Sequence, residues 1–195
     1  MRKFPPVFLC GFMGAGKTSC GRILAEKLRW EFADTDEETE KEYGIKISEI
    51  INEKGFGFFR VCERKILRKL SLRKNIIIAC GGGLYPNAAL ENVFRRGISI
   101  FLNTAENVLC ERLARCAASR PKLCTGGKEP EETIDGICRK TKKLLSRRMP
   151  YYRRCPVIFN DNGGSIERNA VELLHIISAS MSVSTDRNNR TGSVK

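Results

Sequence analysis

A glycine-rich segment near the start of the chain, residues 11–18, constrains the fold more than any other feature. Its sequence, GFMGAGKT, matches G-x-x-x-x-G-K-[ST] at every fixed position. An apolar run of strand formers, 4–10, precedes the segment, and 17–29 follows with apolar residues at helical spacing. Between a strand and a helix, such glycines let backbone N–H groups surround a phosphate, and the helix N-terminus adds partial positive charge. The segment therefore predicts a phosphate-binding loop in an α/β domain.

The side chains at the end of this loop predict how a nucleoside triphosphate is held. Lys17 is expected to bridge the β- and γ-phosphates, and the Thr18 hydroxyl to hold Mg²⁺. The full set of predicted nucleotide contacts in the loop is Gly14, Ala15, Gly16, Lys17, Thr18 and Ser19. An ordinary glycine turn is the alternative interpretation.

Short apolar runs alternate with helical patterns along the rest of the chain, which indicates a parallel sheet covered by helices on both faces. The predicted strands are 4–10, 30–33, 76–80, 98–102 and 157–159. The predicted helices are 17–29, 37–43, 47–54, 58–72, 87–95, 104–117, 131–148 and 166–177. The pattern predicts one domain over 1–178, with a candidate lid at 118–130 and a polar, disordered tail at 179–195.

Two further clusters follow predicted strands and should face the same crevice as the glycine loop, because ligands bind at the carboxyl ends of parallel strands. Asp34 and Asp36 lie one residue apart, so that one carboxylate can serve a magnesium shell while the other takes a proton from an acceptor hydroxyl. Capping of the next helix is the alternative. Gly81, Gly82 and Gly83 let backbone amides approach a ligand, unless they form only a flexible turn.

An arginine behind two aromatic residues, Arg60 in the sequence FFRVCE, suits a guanidinium held for a carboxylate. Glu63, three residues later, is a possible orienting partner. Without further context, an ordinary surface arginine is the better interpretation of this residue.

The composition limits the class of protein. The 195 residues carry a net charge of +13, which suits nucleic acid, an anionic surface or a small anionic substrate. The stretch 139–154 carries eight basic residues and no acidic one. No apolar run approaches the roughly 18–20 residues of a membrane helix, so we expect no membrane insertion. Nine cysteines without a C-x-x-C pair, and one histidine, predict free thiols in the cytoplasm rather than disulfides or a zinc site.

These motifs together resemble the shikimate kinase family. The family pattern combines the phosphate-binding loop with D-[TS]-D, F-R, G-G-G, R-P and R-x-P-x-Y motifs. The chain matches them, in order, at 11–18, 34–36, 59–60, 81–83, 120–121 and 148–152. The resemblance covers about residues 5–178. It implies a P-loop fold, a three-layer sandwich with five parallel strands in the order 2-3-1-4-5, and a monomer that phosphorylates shikimate with ATP and Mg²⁺.

The resemblance also implies roles for single residues. Asp36 would contact the acceptor hydroxyl and act as the base, and Asp34 would lie in the outer shell of the metal beside Thr18. Arg60 and Arg148 would bind the substrate carboxylate, and Gly82 with Gly83 the rest of the substrate. Lys17 and Arg120 would act on the transferring phosphates, Arg120 from the lid, and the substrate-binding helices would span about 37–72.

The chain departs from the family pattern at three places. Ala79 replaces a serine, Phe56 replaces a glutamate, and 160–165 has no basic residue for the adenine. Two alternatives remain at this point. A related P-loop kinase for gluconate or a nucleoside monophosphate would share the glycine loop, and a nucleic-acid-binding P-loop protein would explain the basic stretch.

Overall fold

The computed structural model describes residues 3–119, 134–161 and 163–191. Within them, five strands form one sheet: β1 (Val7–Cys10), β2 (Glu31–Asp34), β3 (Ile76–Ala79), β4 (Ile98–Thr104) and β5 (Val157–Asp161). The helices are α1 (Lys17–Leu28), α2 (Thr35–Tyr43), α3 (Ile47–Leu70), α4 (Glu91–Phe94), α5 (Glu106–Ser119), α6 (Ile134–Tyr152) and α7 (Ile166–Thr191). No helix in this part of the chain combines the length and apolar character needed to cross a bilayer.

The sheet is parallel throughout and has the order β2-β3-β1-β4-β5, as predicted. β1 lies at its centre, where Val7 pairs with Ile77 on one side and Ile98 on the other. All four residues of β1 are fully buried, since helices flank the sheet. The order makes β1, β2 and β3 neighbours, so the loops that follow these three strands meet at one edge.

The predicted helix 87–95 is shorter in the structure, where it comprises only Glu91–Phe94. Asn87 explains the difference, because its side chain accepts a hydrogen bond from the Ala89 N–H (3.0 Å) and its carbonyl accepts one from Leu90 (2.9 Å). Such local bonds hold a turn in place of the first helical turn.

Two helices extend further than the pattern predicts. α6 continues through Pro150 to Tyr152, because a proline in the last turn removes a single backbone bond and the Tyr152 ring stacks on Phe101 at 5.0 Å. α7 continues to Thr191, through most of the stretch predicted as a disordered tail, and Met181 is still buried on the core.

α3 joins the two predicted helices 47–54 and 58–72 into one element with a sharp kink. Gly55 has φ 78° and ψ 164°, outside the helical region. A side chain at this position would be strained, so glycine permits the change of direction. Phe56 is the first residue after the kink.

Candidate active site

The glycine loop between β1 and α1 has the backbone of an anion-binding site. Gly14 and Gly16 have φ of 82° and 84°, and Gly16 caps α1 in the left-handed conformation. The first turn of α1 has neither an acidic residue nor a side-chain cap. Its N–H groups therefore face the loop together with the positive end of the helix dipole. Ser19, the last predicted contact, is exposed in this turn.

Lys17 and Thr18 are the first two residues of α1, and their side chains bind different neighbours. The Lys17 ammonium donates to the carbonyl of Phe12 within the loop at 2.8 Å. Burial lowers the pKa of Lys17, while the carboxylates of Asp36 and Asp34 act in the opposite direction. The Thr18 hydroxyl donates to Asp34 Oδ2 at 2.7 Å, which links the glycine loop to the end of β2.

Asp34 caps the next helix, the alternative that the sequence left open, and it also contacts the glycine loop. It is the N-cap of α2, where its Oδ1 accepts from the Asp36 N–H at 2.9 Å, and its other oxygen faces Thr18. Thr35 between the two acids is buried, and its hydroxyl accepts from the Gly81 N–H at 2.7 Å. β2 and the glycine turn after β3 are thereby fixed to each other.

Asp36 carries an unsatisfied oxygen. Among the described residues, Asp36 Oδ1 is the buried side-chain oxygen or nitrogen that has no hydrogen-bond partner. Burial raises the pKa of Asp36 to about 6, with a further contribution from the charge of Asp34, against which Lys17 and Arg60 act. A buried oxygen left without a donor is costly unless a ligand supplies one. The orphaned oxygen therefore indicates a place for a hydroxyl.

The triple glycine after β3 contacts two arginines, Arg148 and Arg60. The Arg148 Nη1 donates to the Gly82 carbonyl at 2.8 Å, and the Tyr152 hydroxyl donates to the same oxygen at 2.5 Å. A side chain at Gly83 would collide with the guanidinium of Arg60, and one at Gly81 would lie 2.6 Å from Asp36 Oδ1. The glycines are needed here for close approach.

Arg60 forms an ion pair with Glu63, as the sequence suggested. Burial raises the pKa of Glu63 to about 7, whereas Arg60 and Arg148 lower it. The Arg60 guanidinium also lies over the rings of Phe56, at 4.5 Å, and Phe59, at 5.4 Å. Arg148 lies over Phe12 in the glycine loop at 5.6 Å.

Arg60 and Arg148 line one cavity of about 360 Å³. Its remaining lining residues are Arg64, Gly83, Leu84, Tyr85, Asn87 and Leu90. A larger cavity of about 490 Å³, around Phe94 and Arg154, includes none of the predicted site residues. The smaller cavity thus brings three arginines together at the triple glycine, where Arg148 contacts Gly82 and Gly81 lies against Asp36.

The structure brings together most of the residues predicted from the sequence and adds others. Arg120 and the predicted lid from that residue onward lie outside the described residues. Sequence reasoning missed Tyr152 and Arg112, whose Nη1 lies 3.1 Å from both the Gly14 carbonyl and Asp161 Oδ2. Arg112 has no local signal, because its partners are distant in sequence. Tyr152 is the last residue of the R-x-P-x-Y motif at 148–152, but the motif did not indicate its contact with Gly82.

A parallel sheet with a phosphate-binding loop at its centre, a buried carboxylate beside the loop and a cationic cavity defines a P-loop phosphotransferase. A family model described as shikimate kinase matches residues 13–178. A shikimate kinase of Thermodesulfovibrio yellowstonii is 35% identical over 169 residues, covering 86% of this chain and 92% of the relative. One of Bacteroides thetaiotaomicron is 37% identical over 157 residues, covering 79% and 85%.

A solved structure gives the same result for the fold. The shikimate kinase from Acinetobacter baumannii in complex with shikimate superposes with a TM-score of 0.78 at 33% identity, covering 91% of this chain and 94% of the other. The chain belongs to the shikimate kinase family. The resemblance stated from the motifs is confirmed, and so are the predicted fold class and strand order.

Proposed function

We propose that this protein transfers the γ-phosphoryl group of ATP to the 3-hydroxyl of shikimate, giving shikimate 3-phosphate and ADP. The observation that carries the proposal is the convergence of Arg60 and Arg148 on one cavity at the triple glycine, whose first residue, Gly81, lies against the orphaned oxygen of Asp36. Two guanidiniums suit a small carboxylate, and a buried oxygen acceptor suits a hydroxyl. Shikimate carries both groups on one ring.

In this proposal Asp36 is the base. Its Oδ1 accepts a hydrogen bond from the substrate hydroxyl and takes its proton as the phosphoryl group is transferred. A pKa of about 6 suits this task at neutral pH, because the carboxyl is ionised yet still basic. Lys17 leaves the Phe12 carbonyl to contact the β- and γ-phosphates, and Arg120 acts on the same phosphates.

The residues present also fit a magnesium ion bound together with ATP. Thr18 and Asp34 offer a hydroxyl and a carboxylate oxygen 2.7 Å apart at the edge of the glycine loop. No cluster of three or more metal-ligating side chains occurs in the described ranges, and Mg²⁺ with a nucleotide needs one or two protein oxygens, the rest being phosphate and water. When bound, the ion neutralises charge on the phosphates.

The proposal extends to the whole protein. The kinase domain spans 1–178, and the protein acts as a cytoplasmic monomer on small molecules, without nucleic acid or membrane partners. Six cysteines of the described residues are buried as small apolar side chains: Cys10, Cys20, Cys62, Cys80, Cys110 and Cys155. The basic residues of α6 include Arg148, which faces the cavity, so part of that charge has a small-molecule role.

The substrates of the alternative kinases differ from shikimate in the carboxylate group. A nucleoside monophosphate lacks one, and gluconate carries it on an open chain rather than a ring. The test is a coupled assay of ADP release with shikimate, gluconate and nucleoside monophosphates side by side. We expect turnover with shikimate; turnover with gluconate or a nucleotide instead would reject the proposal.

Adjacent arginines give this assay a matched control. Arg148 contacts Gly82, whereas the neighbouring Arg147 is exposed. We expect Arg148→Ala to weaken shikimate binding roughly 10- to 100-fold, because charge-assisted hydrogen bonds are lost. Arg147→Ala removes the same charge and should bind shikimate like the wild type. Equal losses in the two variants would show that net charge, and not a carboxylate contact, governs binding.

A further inference from the structure

Phe56, at the kink of α3, is an exposed aromatic residue beside the cavity. It is 53% exposed, and a large apolar side chain in that position gains little from burial. Gly55 turns the chain immediately before it. Arg60 follows four residues later in the second part of α3, and residues four apart lie on the same helix face. The kink therefore places the Phe56 ring next to the guanidinium.

The two side chains are in contact. Arg60 Cζ lies 4.5 Å from the centre of the Phe56 ring and 5.4 Å from that of Phe59. The two rings are 5.9 Å apart at 64°, an edge-to-face arrangement. Phe59 is 5% exposed and belongs to the core side of the helix, so Phe56 is the ring on the solvent side.

Stacking uses the face of a guanidinium and leaves the N–H groups at its edge free. The edge of Arg60 has two neighbours, Glu63, which accepts from Nη1, and Gly83 on the cavity floor. The aromatic rings and Glu63 together restrict the rotation of the side chain. A guanidinium held in this way loses less conformational entropy when a carboxylate binds.

We propose that Phe56 is a positioning residue for Arg60, which sets the preference of the site for a carboxylate-bearing substrate. Its ring excludes water from one face of the guanidinium and holds the N–H edge toward the cavity. The inference rests on the proposed function, because it assigns Arg60 to the substrate carboxylate. Phe56 itself needs no contact with the substrate.

A second exposed aromatic on the same helix provides the comparison. Phe58 is 37% exposed, but its ring faces the ammonium of Lys54 at 5.1 Å and the ring of Tyr43 at 6.2 Å. The Arg60 guanidinium lies over the rings of Phe56 and Phe59. Neither Phe56 nor Phe58 lines the cavity itself. Both rings are exposed, but the Phe56 ring contacts Arg60, whereas the Phe58 ring contacts Lys54 and Tyr43.

The experiment measures binding of shikimate and of its carboxylate-free analogue to the wild type, Phe56→Leu, Phe56→Trp and Phe58→Leu. Leucine keeps the apolar volume and removes the aromatic face. We expect Phe56→Leu to weaken shikimate binding roughly 3- to 10-fold, the strength of a partly exposed cation–π contact. Binding of the analogue and of ATP should be unchanged, KM for shikimate should rise and kcat should stay the same.

The other variants separate positioning from folding. Phe56→Trp should bind shikimate at least as well as the wild type, because tryptophan has the strongest cation–π face, and Phe58→Leu should match the wild type. Thermal unfolding of each variant confirms that it is folded. The inference is overturned if Phe56→Leu binds shikimate normally, if it weakens both ligands equally, or if tryptophan does not restore binding.

Activity of the wild type with shikimate distinguishes a failure of the proposed function from a failure of the inference about Phe56. If it does not phosphorylate shikimate, the proposed function fails before Phe56 is considered. If it does so and Phe56→Leu behaves identically, the proposed function stands and only the role of Phe56 is rejected.

Discussion

At the scale of the residue, Asp36 combines burial with a charge that its proposed role requires. Burial raises its pKa to about 6, so the carboxyl is protonated at acidic pH and ionised at neutral pH. We predict that kcat/KM for shikimate rises with pH through about 6 and then levels off, because only the ionised form accepts the proton. Initial rates from pH 5 to 8 at constant ionic strength test this. A profile that is flat down to pH 5 would contradict the assignment of Asp36 as base.

The raised pKa of Asp36 also affects the free energy of unfolding. Ionisation of a typical paired acidic residue stabilises the folded protein, whereas ionisation of Asp36 destabilises it. The folded-state pKa of about 6 lies above the ordinary value of 3.8, so folding favours the protonated form. The stabilising contribution is complete below about pH 4 and is lost as the pH rises through about 6. We predict that Asp36→Asn stabilises the ligand-free protein at pH 8 by up to about 3 kcal/mol, and that the gain disappears below pH 4.

Asp34→Asn is the control for this measurement by urea unfolding. Asparagine can still cap α2, but if its amide nitrogen faces Thr18 it cannot accept the hydrogen bond of the Thr18 hydroxyl, so we expect this substitution to destabilise the protein at pH 8 by about 1 kcal/mol. A loss of stability in Asp36→Asn at pH 8 would show that the carboxylate is satisfied in the folded protein and that its pKa is not raised.

The sequence predicts the residues of the site where local spacing defines them. The glycine loop and the two acids after β2 are of this kind, since each is contained in one short segment. The contacts of Arg148 with Gly82 and of Arg112 with Gly14 join residues 66 and 98 positions apart. Only the folded chain places such residues together, and the role of Arg148 came from the family resemblance.

At the scale of the element, the kink in α3 has a conformation that favours glycine. Gly55 has φ 78°, and a Cβ added there meets nothing within 4 Å. We predict that Gly55→Ala destabilises the protein by about 1–3 kcal/mol through backbone strain alone. Denaturant unfolding measures the effect.

Gly57, two residues later, is the matched control. It lies in the helical second part of α3 and also has open space around it. Gly57→Ala should stabilise the protein by about 0.5–1 kcal/mol, since alanine favours a helix. If the two substitutions changed stability in the same direction, the backbone at position 55 would not be strained for alanine.

The predicted helices failed where tertiary contacts or local side-chain bonds outweigh the apolar pattern. The Asn87 turn shortens α4, and the stacking of Tyr152 on Phe101 carries α6 past Pro150. The break in α3, in contrast, was predicted at its position, because Gly55 and Gly57 interrupt the pattern locally.

At the scale of the whole molecule, the net charge of +13 should assist the binding of anionic ligands. We predict that the Kd of shikimate rises by roughly 2- to 10-fold as salt increases from 0.05 to 0.5 M, because the long-range part of the attraction is screened over about a Debye length. Calorimetric titration in KCl measures this. The carboxylate-free analogue should show little dependence on salt, and an equal dependence for both ligands would exclude the electrostatic explanation.

The fold class follows from β1 and β3, which are apolar and buried along their whole length, because only a sheet covered on both faces buries such strands. The order of the strands does not follow from this pattern, since many orders bury the same residues. It was predicted from the family resemblance and is confirmed.

The central position of β1 has a consequence for how the chain acquires its structure during synthesis. The strand that leaves the ribosome first pairs with β3 and β4, whose residues 77–79 and 98–101 follow some 70 to 90 positions later. At about 5–20 residues per second, translation delays these partners by several seconds. Until then an apolar segment and the glycine loop beside it have no sheet to join. The glycine loop is therefore synthesised well before the two strands that hold β1 in the sheet.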